Sequence, residues 1–302
     1  MSKFIFLIII SVFFFYSIFL TRLSPDLYVF VKYAIEDNIE KTISWYSIFN
    51  NNFLFDLISL IGYKFNLSSG IEYLLLVSIF VYFLFLLKYF YLLKIGSLSN
   101  VLIVFFSSFI TFDINAFRFH LAIIFLIFAL KQKKSKYLFL ISSFFSHIFP
   151  LIFFYLKKLY FIPLILLIYI MPFLINSRYA LYFEDVQFVL FKSLILIFPS
   201  LTCLKEALNR KEINSDRLNL NYIYINLSST FLIIGIFFLS INTVFSSRMF
   251  ETVFYLSTVL NLFYNFSSKN KFLLVIFSLL LFSSRVYNGV NTSANTIFQI
   301  IQ

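Results

Sequence analysis

Long runs of apolar residues, separated by short polar segments, occupy most of this chain. The first run, residues 4–20, follows Lys3 and is just long enough to cross a bilayer as a helix. It ends in Phe-Leu-Thr-Arg rather than in the small-residue cleavage site of a signal peptide, so we interpret it as an uncleaved span. The later apolar runs predict further helices, at 71–93, 98–113, 117–130, 137–156, 159–176, 186–204, 221–241, 249–267 and 271–284.

The segment between the first two predicted spans has a different pattern. Residues 21–52 form the most polar stretch of the chain, and the apolar run 53–65 is short and interrupted by Asp56 and Lys64. Such a run is typical of an interfacial or re-entrant helix rather than of a span. Because the pattern contains no soluble domain, linker or repeat, we predict a single integral membrane domain over residues 1–302, with an external loop and interfacial helix at 21–66.

The composition excludes most soluble classes of protein. Of the 302 residues, 61% are hydrophobic and 12% are charged, with 47 Phe and a mean hydropathy of +0.94. An ordinary soluble domain has about 45–50% apolar and about 25% charged residues. The single cysteine, Cys203, excludes an internal disulfide framework. We therefore predict an all-α polytopic membrane protein with about 9–11 transmembrane helices.

The distribution of Lys and Arg tests the topology. The net charge is +11, but the basic residues are scattered between apolar runs, which argues against a nucleic-acid interface. If every run from 71 onward crossed once, nine Lys/Arg would be cytoplasmic and thirteen external, contrary to the positive-inside rule. If the segment 137–156 instead enters the membrane and returns to the cytoplasmic side, fourteen Lys/Arg are cytoplasmic and eight are external. We therefore predict a re-entrant segment at 137–156, turning at 146–150, which places Arg118, Arg248 and Arg285 on the extracytoplasmic face.

Two ionisable residues in the middle of the chain are candidates for chemistry, because charged groups inside spans are costly. Arg118 lies near the start of the run 117–130, with Asp113 one turn earlier, and it either serves a site or reaches to the interface and pairs with Asp113. His147 lies beside the helix-breaking Pro150. An imidazole, with its ordinary pKa of about 6.5, suits proton transfer, although a hydrogen-bonded structural histidine fits the same pattern.

Two further arginines lie near the C-terminus. Arg248 is followed on the same helical face by Glu251, Tyr255 and Thr258, a polar row that we expect to face a cavity rather than lipid. A simple Arg248–Glu251 ion pair is the alternative. Arg285 ends the last span and is either an interfacial anchor or part of a site.

Familiar cofactor and metal motifs are missing from the sequence. It contains no P-loop, Gly-x-Ser-x-Gly, His-Glu-x-x-His or dinucleotide-binding glycine pattern, and no Asp-x-Asp pair. Its two histidines have no close acidic cluster, which argues against a metal site. Arginine binds phosphate oxygens bidentately and stays charged when partly buried, so it can take the place of a metal at a diphosphate. We expect neither metal nor cofactor.

Three stretches resemble the EpsG/Wzy group of bacterial polysaccharide polymerases. Residues 115–122, Asn-Ala-Phe-Arg-Phe-His-Leu-Ala, are similar to the group's arginine segment that opens a span. Residues 136–150 are similar to its basic loop, apolar run and histidine before a proline. Residues 247–251, Ser-Arg-Met-Phe-Glu, resemble its late arginine before a final pair of spans. One departure is the Phe-His pair after Arg118, where the group usually has small or polar residues.

The resemblance implies a GT-C-like glycosyltransferase of the bacterial cytoplasmic membrane, with its site facing the periplasm or exterior. It would join undecaprenyl-diphosphate-linked oligosaccharide repeat units into O-antigen or exopolysaccharide, in some cases with a chain-length regulator protein as partner. Arg118 and Arg248 would be catalytic and, with Arg285, would bind the diphosphate. His147 would accept the hydroxyl proton, unless Asp113 or Glu251 is the base. The alternatives are a flippase or transporter of lipid-linked oligosaccharides and a membrane O-acyltransferase of polysaccharide.

Overall fold

The computed structural model of the chain is helical throughout its regular elements, and no strand occurs in the part that it describes. The predicted all-α fold is confirmed at this level. The predicted loop 21–52, the helix 159–176 and the turn of the re-entrant segment lie outside the described residues. The structure describes residues 3–20, 60–67, 69–109, 122, 124–125, 128–129, 137–141, 187–209, 215–239, 243–264 and 266–293.

Seven helices account for most of the described chain. The predicted runs 221–241 and 249–267 both begin six residues too late, because backbone hydrogen bonds continue a helix through polar residues that hydropathy does not count. The helices are α1 (Lys3–Phe15, continued by a π-helical turn Tyr16–Leu20), α2 (Gly70–Ile95), α3 (Leu98–Ser108), α4 (Gln187–Asn209), α5 (Ser215–Phe238), α6 (Thr243–Tyr264) and α7 (Ser268–Ser293).

Among these described helices, α2 is the one that is both long and apolar enough to cross a membrane. Three shorter helical stretches are also apolar, at Lys3–Ile18, Leu98–Ser108 and Leu227–Phe238. Short helical fragments of the predicted spans 117–130 and 137–156 are also described. The chain divides into two compact units, one formed by Met1–Leu151 with Leu279–Gln302 and the other by Ile152–Ser278.

In the first unit, α1 runs antiparallel to α2. At one end the ammonium of Lys3 donates a hydrogen bond to the carbonyl oxygen of Leu93, at 2.6 Å. Further along, the Tyr82 hydroxyl donates to the Ser11 hydroxyl at 2.8 Å, and the rings of Phe14 and Phe85 lie 5.0 Å apart. The lysine therefore meets the C-terminal end of α2, where the helix dipole favours a cation.

The start of α2 is fixed by a capping box. The Ser69 hydroxyl accepts a hydrogen bond from the Glu72 backbone N–H, and the Glu72 carboxylate accepts one from the Ser69 backbone N–H. This reciprocal pairing satisfies two backbone donors that the first turn of the helix would otherwise leave open. At the other end the N–H of Gly96 donates to the carbonyl of Leu92, and Gly96 separates the end of α2 at Ile95 from Ser97, which caps α3.

In the second unit, α6 is the central helix and packs against both α4 and α5. α5 approaches α6 closely at Gly235, where an added Cβ would meet the ring of Phe250. The Ser246 hydroxyl donates to the Gly235 carbonyl oxygen at 2.6 Å. The face of α4 that carries Ser200, Cys203 and Ala207 is buried and built from small side chains. Small residues permit close backbone approach between packed helices.

The start of α7 is held by a carboxylate from α4. Glu206 accepts hydrogen bonds from the Ser267 backbone N–H, at 3.0 Å, and from the Ser267 hydroxyl, also at 3.0 Å. It also accepts a bond of 2.6 Å from the side-chain amide of Asn270. Because the N-terminus of a helix carries partial positive charge and open N–H donors, this carboxylate both caps and neutralises it.

Replacing Glu206 with alanine is therefore expected to lower the free energy of unfolding by about 1–3 kcal/mol, because three donors lose a charged acceptor. The measurement is the thermal unfolding midpoint of the purified chain in detergent. Glu206→Gln keeps one acceptor oxygen and should lose roughly half as much. Equal stability of Glu206→Ala and the wild-type chain would contradict the capping role.

Candidate functional site

Helix α6 carries many polar side chains and yet is almost entirely buried. From Ser246 to Leu262 every side chain is buried except that of Arg248, which is half-buried. A helix that is enclosed on all sides is normally apolar all round. Here the enclosed side chains include a carboxylate, an amide and several hydroxyls, so polar groups are concentrated in the interior of this unit. These buried polar residues are Ser246, Ser247, Glu251, Thr252, Tyr255, Ser257, Thr258 and Asn261.

Several of these polar groups have structural roles. The hydroxyls of Thr252, Ser257 and Thr258 donate back to backbone carbonyls one turn earlier in α6, at 2.7–3.0 Å. The Tyr224 hydroxyl of α5 lies 2.8 Å from the Ser257 hydroxyl and so joins the two helices. The side-chain oxygen of Asn261 accepts a hydrogen bond from the Phe266 backbone N–H beyond the end of α6. These hydrogen bonds give the polar groups of Thr252, Ser257, Thr258 and Asn261 structural roles.

The remaining polar row has the residue types that acid–base chemistry requires. Arg248, Glu251 and Tyr255 follow one another at spacings of three and four residues, so they lie on one face of α6. The Glu251 side chain is 2% exposed, and that of Tyr255 is fully buried. A carboxylate removed from water in this way is costly unless opposite charge or hydrogen-bond donors surround it. Glu251 and Tyr255 are therefore enclosed by protein, whereas Arg248 at the start of the row is half-buried.

The structure describes only part of the predicted site. Arg248 and Glu251 lie one turn apart on α6, in the second unit. Arg285 lies on α7, in the part of that helix that belongs to the first unit, and its side chain is outside the described residues. Asp113, Arg118 and His147 also lie outside them. In the described part of the chain, no cluster of His, Cys, Asp and Glu could hold a metal ion.

One buried charge was missed by the sequence analysis. Lys88, on α2, is 2% exposed, and its ammonium donates to the Ser108 hydroxyl at 3.0 Å. The same ammonium lies 4.9 Å from the ring centre of Tyr89, whose hydroxyl is 3.2 Å from that of Ser108. The sequence does contain an indication of this buried charge, because Lys88 lies within an apolar run as Arg118 does. A lysine inside a span adds nothing to the count of loop charges, so the topology prediction does not depend on Lys88.

Chemically, the row on α6 combines an anion-binding group with a proton acceptor. The Arg248 guanidinium is of the type that can bind two phosphate oxygens at once, and its side chain is only half-buried. The Glu251 carboxylate can accept a proton or hold a hydroxyl in position. Such a pair suits a reaction in which a hydroxyl loses a proton while negative charge develops on a nearby leaving group.

Comparisons with known proteins add no family to this description. No family model, no curated protein and no solved structure matches the chain.

Proposed function

We propose that the chain is a polytopic membrane glycosyltransferase of the EpsG/Wzy type. It joins undecaprenyl-diphosphate-linked repeat units at the outer face of the bacterial cytoplasmic membrane, without metal or cofactor. The observation that carries the proposal is the Arg248–Glu251 pair, an anion-binding and a proton-accepting group one turn apart on an enclosed helix. The resemblance of residues 115–122, 136–150 and 247–251 to that group supplies the reaction class.

A membrane location is supported by the distribution of apolar surface. Large apolar side chains are exposed on the outside of the described helices, whereas polar ones are enclosed on α6. In water, contiguous apolar surface of this kind is unfavourable, and in a bilayer it contacts lipid. On α2 the exposed apolar row repeats along the whole helix, at Ile71, Leu75, Ile79, Phe83, Leu87 and Phe90.

The arrangement of the first unit also agrees with the proposed orientation. Lys3 and Lys94 are among the fourteen Lys/Arg that the predicted topology places on the cytoplasmic side, which requires α1 and α2 to be antiparallel. The hydrogen bond from Lys3 to the Leu93 carbonyl puts these two lysines at the same end of the helix pair. We propose that this end faces the cytoplasm and that the GT-C-like domain as a whole spans 1–302, with the re-entrant segment at 137–156.

In the proposed reaction, a sugar hydroxyl of the incoming repeat unit attacks the anomeric carbon of the growing chain. The bond between that carbon and the diphosphate oxygen breaks, and undecaprenyl diphosphate leaves with the electron pair. Arg118 and Arg248, with Arg285, stabilise the charge that develops on the diphosphate. His147 accepts the hydroxyl proton, with Asp113 and Glu251 as the alternative acceptors.

The test uses the purified chain and single lipid-linked repeat units. The units are extracted from the source bacterium after the gene for this chain has been deleted, so that they have not been polymerised. With EDTA present, we expect the wild-type chain to extend single units into a ladder of longer lipid-linked products. Arg118→Ala and His147→Ala should each lower the extension rate by roughly 10²–10³-fold, the usual cost of losing an electrostatic or acid–base group.

The matched control is Lys64→Gln, which removes an exposed cation that we also place on the external side. It should extend the units at the wild-type rate. A chain that leaves the units unextended but moves them across a proteoliposome bilayer would be a flippase, and the polymerase proposal would be wrong.

A further inference from the structure

An apolar groove runs between α1 and α2 on the outside of the first unit. It has a volume of about 710 Å³, within the range of pockets that hold small ligands. Phe4, Ile8 and Val12 line it on the α1 side, and Tyr82 and Leu86 line it on the α2 side. The hydroxyls of Ser11 and Tyr82 in its wall bond to each other, so the groove offers its occupant an apolar surface.

The end of the groove at Phe4 is positively charged. Lys3 adjoins Phe4, and the ammonium of Lys94 lies 4.4 Å from the ring centre of Phe90. Phe90 and Lys94 continue the row of Tyr82 and Leu86 at four-residue intervals along α2. Both lysines are exposed. Their contacts in the described chain are a backbone carbonyl and an aromatic ring, neither of which is a carboxylate.

From this pairing of an apolar groove with two ammonium groups at its end, we propose a binding site for an anionic glycerophospholipid of the cytoplasmic leaflet. One acyl chain lies in the groove, and the phosphate lies between Lys3 and Lys94. An ammonium has three N–H donors, and Lys3 uses one of them on the Leu93 carbonyl, which leaves two for phosphate oxygens. Basic residues between helices at the cytoplasmic side are a recurrent headgroup site.

Charge selects this occupant over neutral and zwitterionic lipids. A phosphatidylethanolamine headgroup brings its own ammonium close to the two lysines, which opposes its binding, whereas phosphatidylglycerol brings only negative charge. The lysine end of the groove is the end that we place in the cytoplasm, so the occupant differs from the lipid-linked sugars of the proposed reaction at the outer face. The inference requires the chain to lie in a membrane, but it does not require the polymerase activity.

The test measures retained lipid by native mass spectrometry. The full chain is reconstituted in nanodiscs of equal phosphatidylglycerol and phosphatidylethanolamine and then released into detergent. We expect the wild-type chain to keep phosphatidylglycerol in preference to phosphatidylethanolamine. In the double variant Lys3→Gln/Lys94→Gln the ratio of retained phosphatidylglycerol to retained phosphatidylethanolamine should fall by on the order of tenfold. Each basic residue near the membrane surface contributes severalfold to the binding of an anionic lipid. Ile8→Trp, which fills the groove, should lower the retention of both lipids.

The control Lys64→Gln/Lys269→Gln removes two exposed lysines distant in sequence from the groove and should keep the wild-type preference. Equal preference in the wild type and in Lys3→Gln/Lys94→Gln would overturn the proposal. So would efficient disulfide cross-linking between two chains that carry Val12→Cys, because the groove would then be an interface between copies of this chain.

Discussion

Replacing Arg248 with glutamine is expected to lower the rate of repeat-unit extension by roughly 10²–10³-fold. In the proposed reaction the guanidinium lies against the leaving diphosphate, where its fixed positive charge stabilises the negative charge that develops there. Because Arg248 is half-buried, unlike its neighbours on α6, its removal should leave the packing of the helix largely intact. The measurement is the initial rate of product formation per folded chain, together with the thermal unfolding midpoint.

Arg248→Lys separates charge from geometry. It keeps the positive charge but loses the bidentate fork, so its rate should lie between those of the wild type and Arg248→Gln. If Arg248 only forms an ion pair with Glu251, the result is different. Arg248→Gln and Glu251→Gln would then both reduce stability, and the chains that remained folded would extend repeat units at the wild-type rate.

Replacing Gly235 with alanine is expected to destabilise the second unit by about 2–4 kcal/mol. The new Cβ would meet the Phe250 ring, and separating α5 from α6 would also weaken the hydrogen bond from Ser246 to the Gly235 carbonyl. Alanine is intrinsically the better helix former by about 1 kcal/mol, so this preference acts against the expected effect. The measurement is the unfolding free energy of the chain in detergent.

A second substitution tests whether the Phe250 ring is the cause. Phe250→Leu shortens the side chain that the new Cβ meets, so the double variant Gly235→Ala/Phe250→Leu should be more stable than the sum of the two single effects predicts. Ile236→Ala, at the neighbouring exposed position, is the control and should change the stability by less than about 1 kcal/mol. Strictly additive effects would contradict the proposed contact.

The hydropathy pattern predicted where the described helices lie more accurately than where they begin and end. α2 begins one residue before the predicted run and ends two after it, because a capping box and Gly96 coincide with the limits of the apolar run. α5 and α6 each start six residues earlier than the apolar run that predicts them. Their first turns contain Asp216, Arg217 and Thr243, which form helix but have no apolar signal.

The burial of α6 was anticipated only in part. The spacing of Arg248, Glu251 and Tyr255 predicted one polar face, which follows from helix periodicity alone. The sequence did not indicate that the opposite face is equally enclosed, because that depends on α4 and α5 packing on both sides. Glu206 was missed for a similar reason. Its partners Ser267 and Asn270 are more than sixty residues away in sequence.

Composition, hydropathy and periodicity are local properties, and they were enough to predict the helical class, the positions of the described helices and the candidate residues Asp113, Arg118, His147, Arg248, Glu251 and Arg285. Which side chains are enclosed and which lie outside depends on how the helices pack against one another. That packing buries Lys88 beside Ser108 and pairs α1 with α2 so that Lys3 meets the end of α2. These features depend on contacts between segments far apart in sequence, and each such contact is set by the shape and charge of two surfaces together.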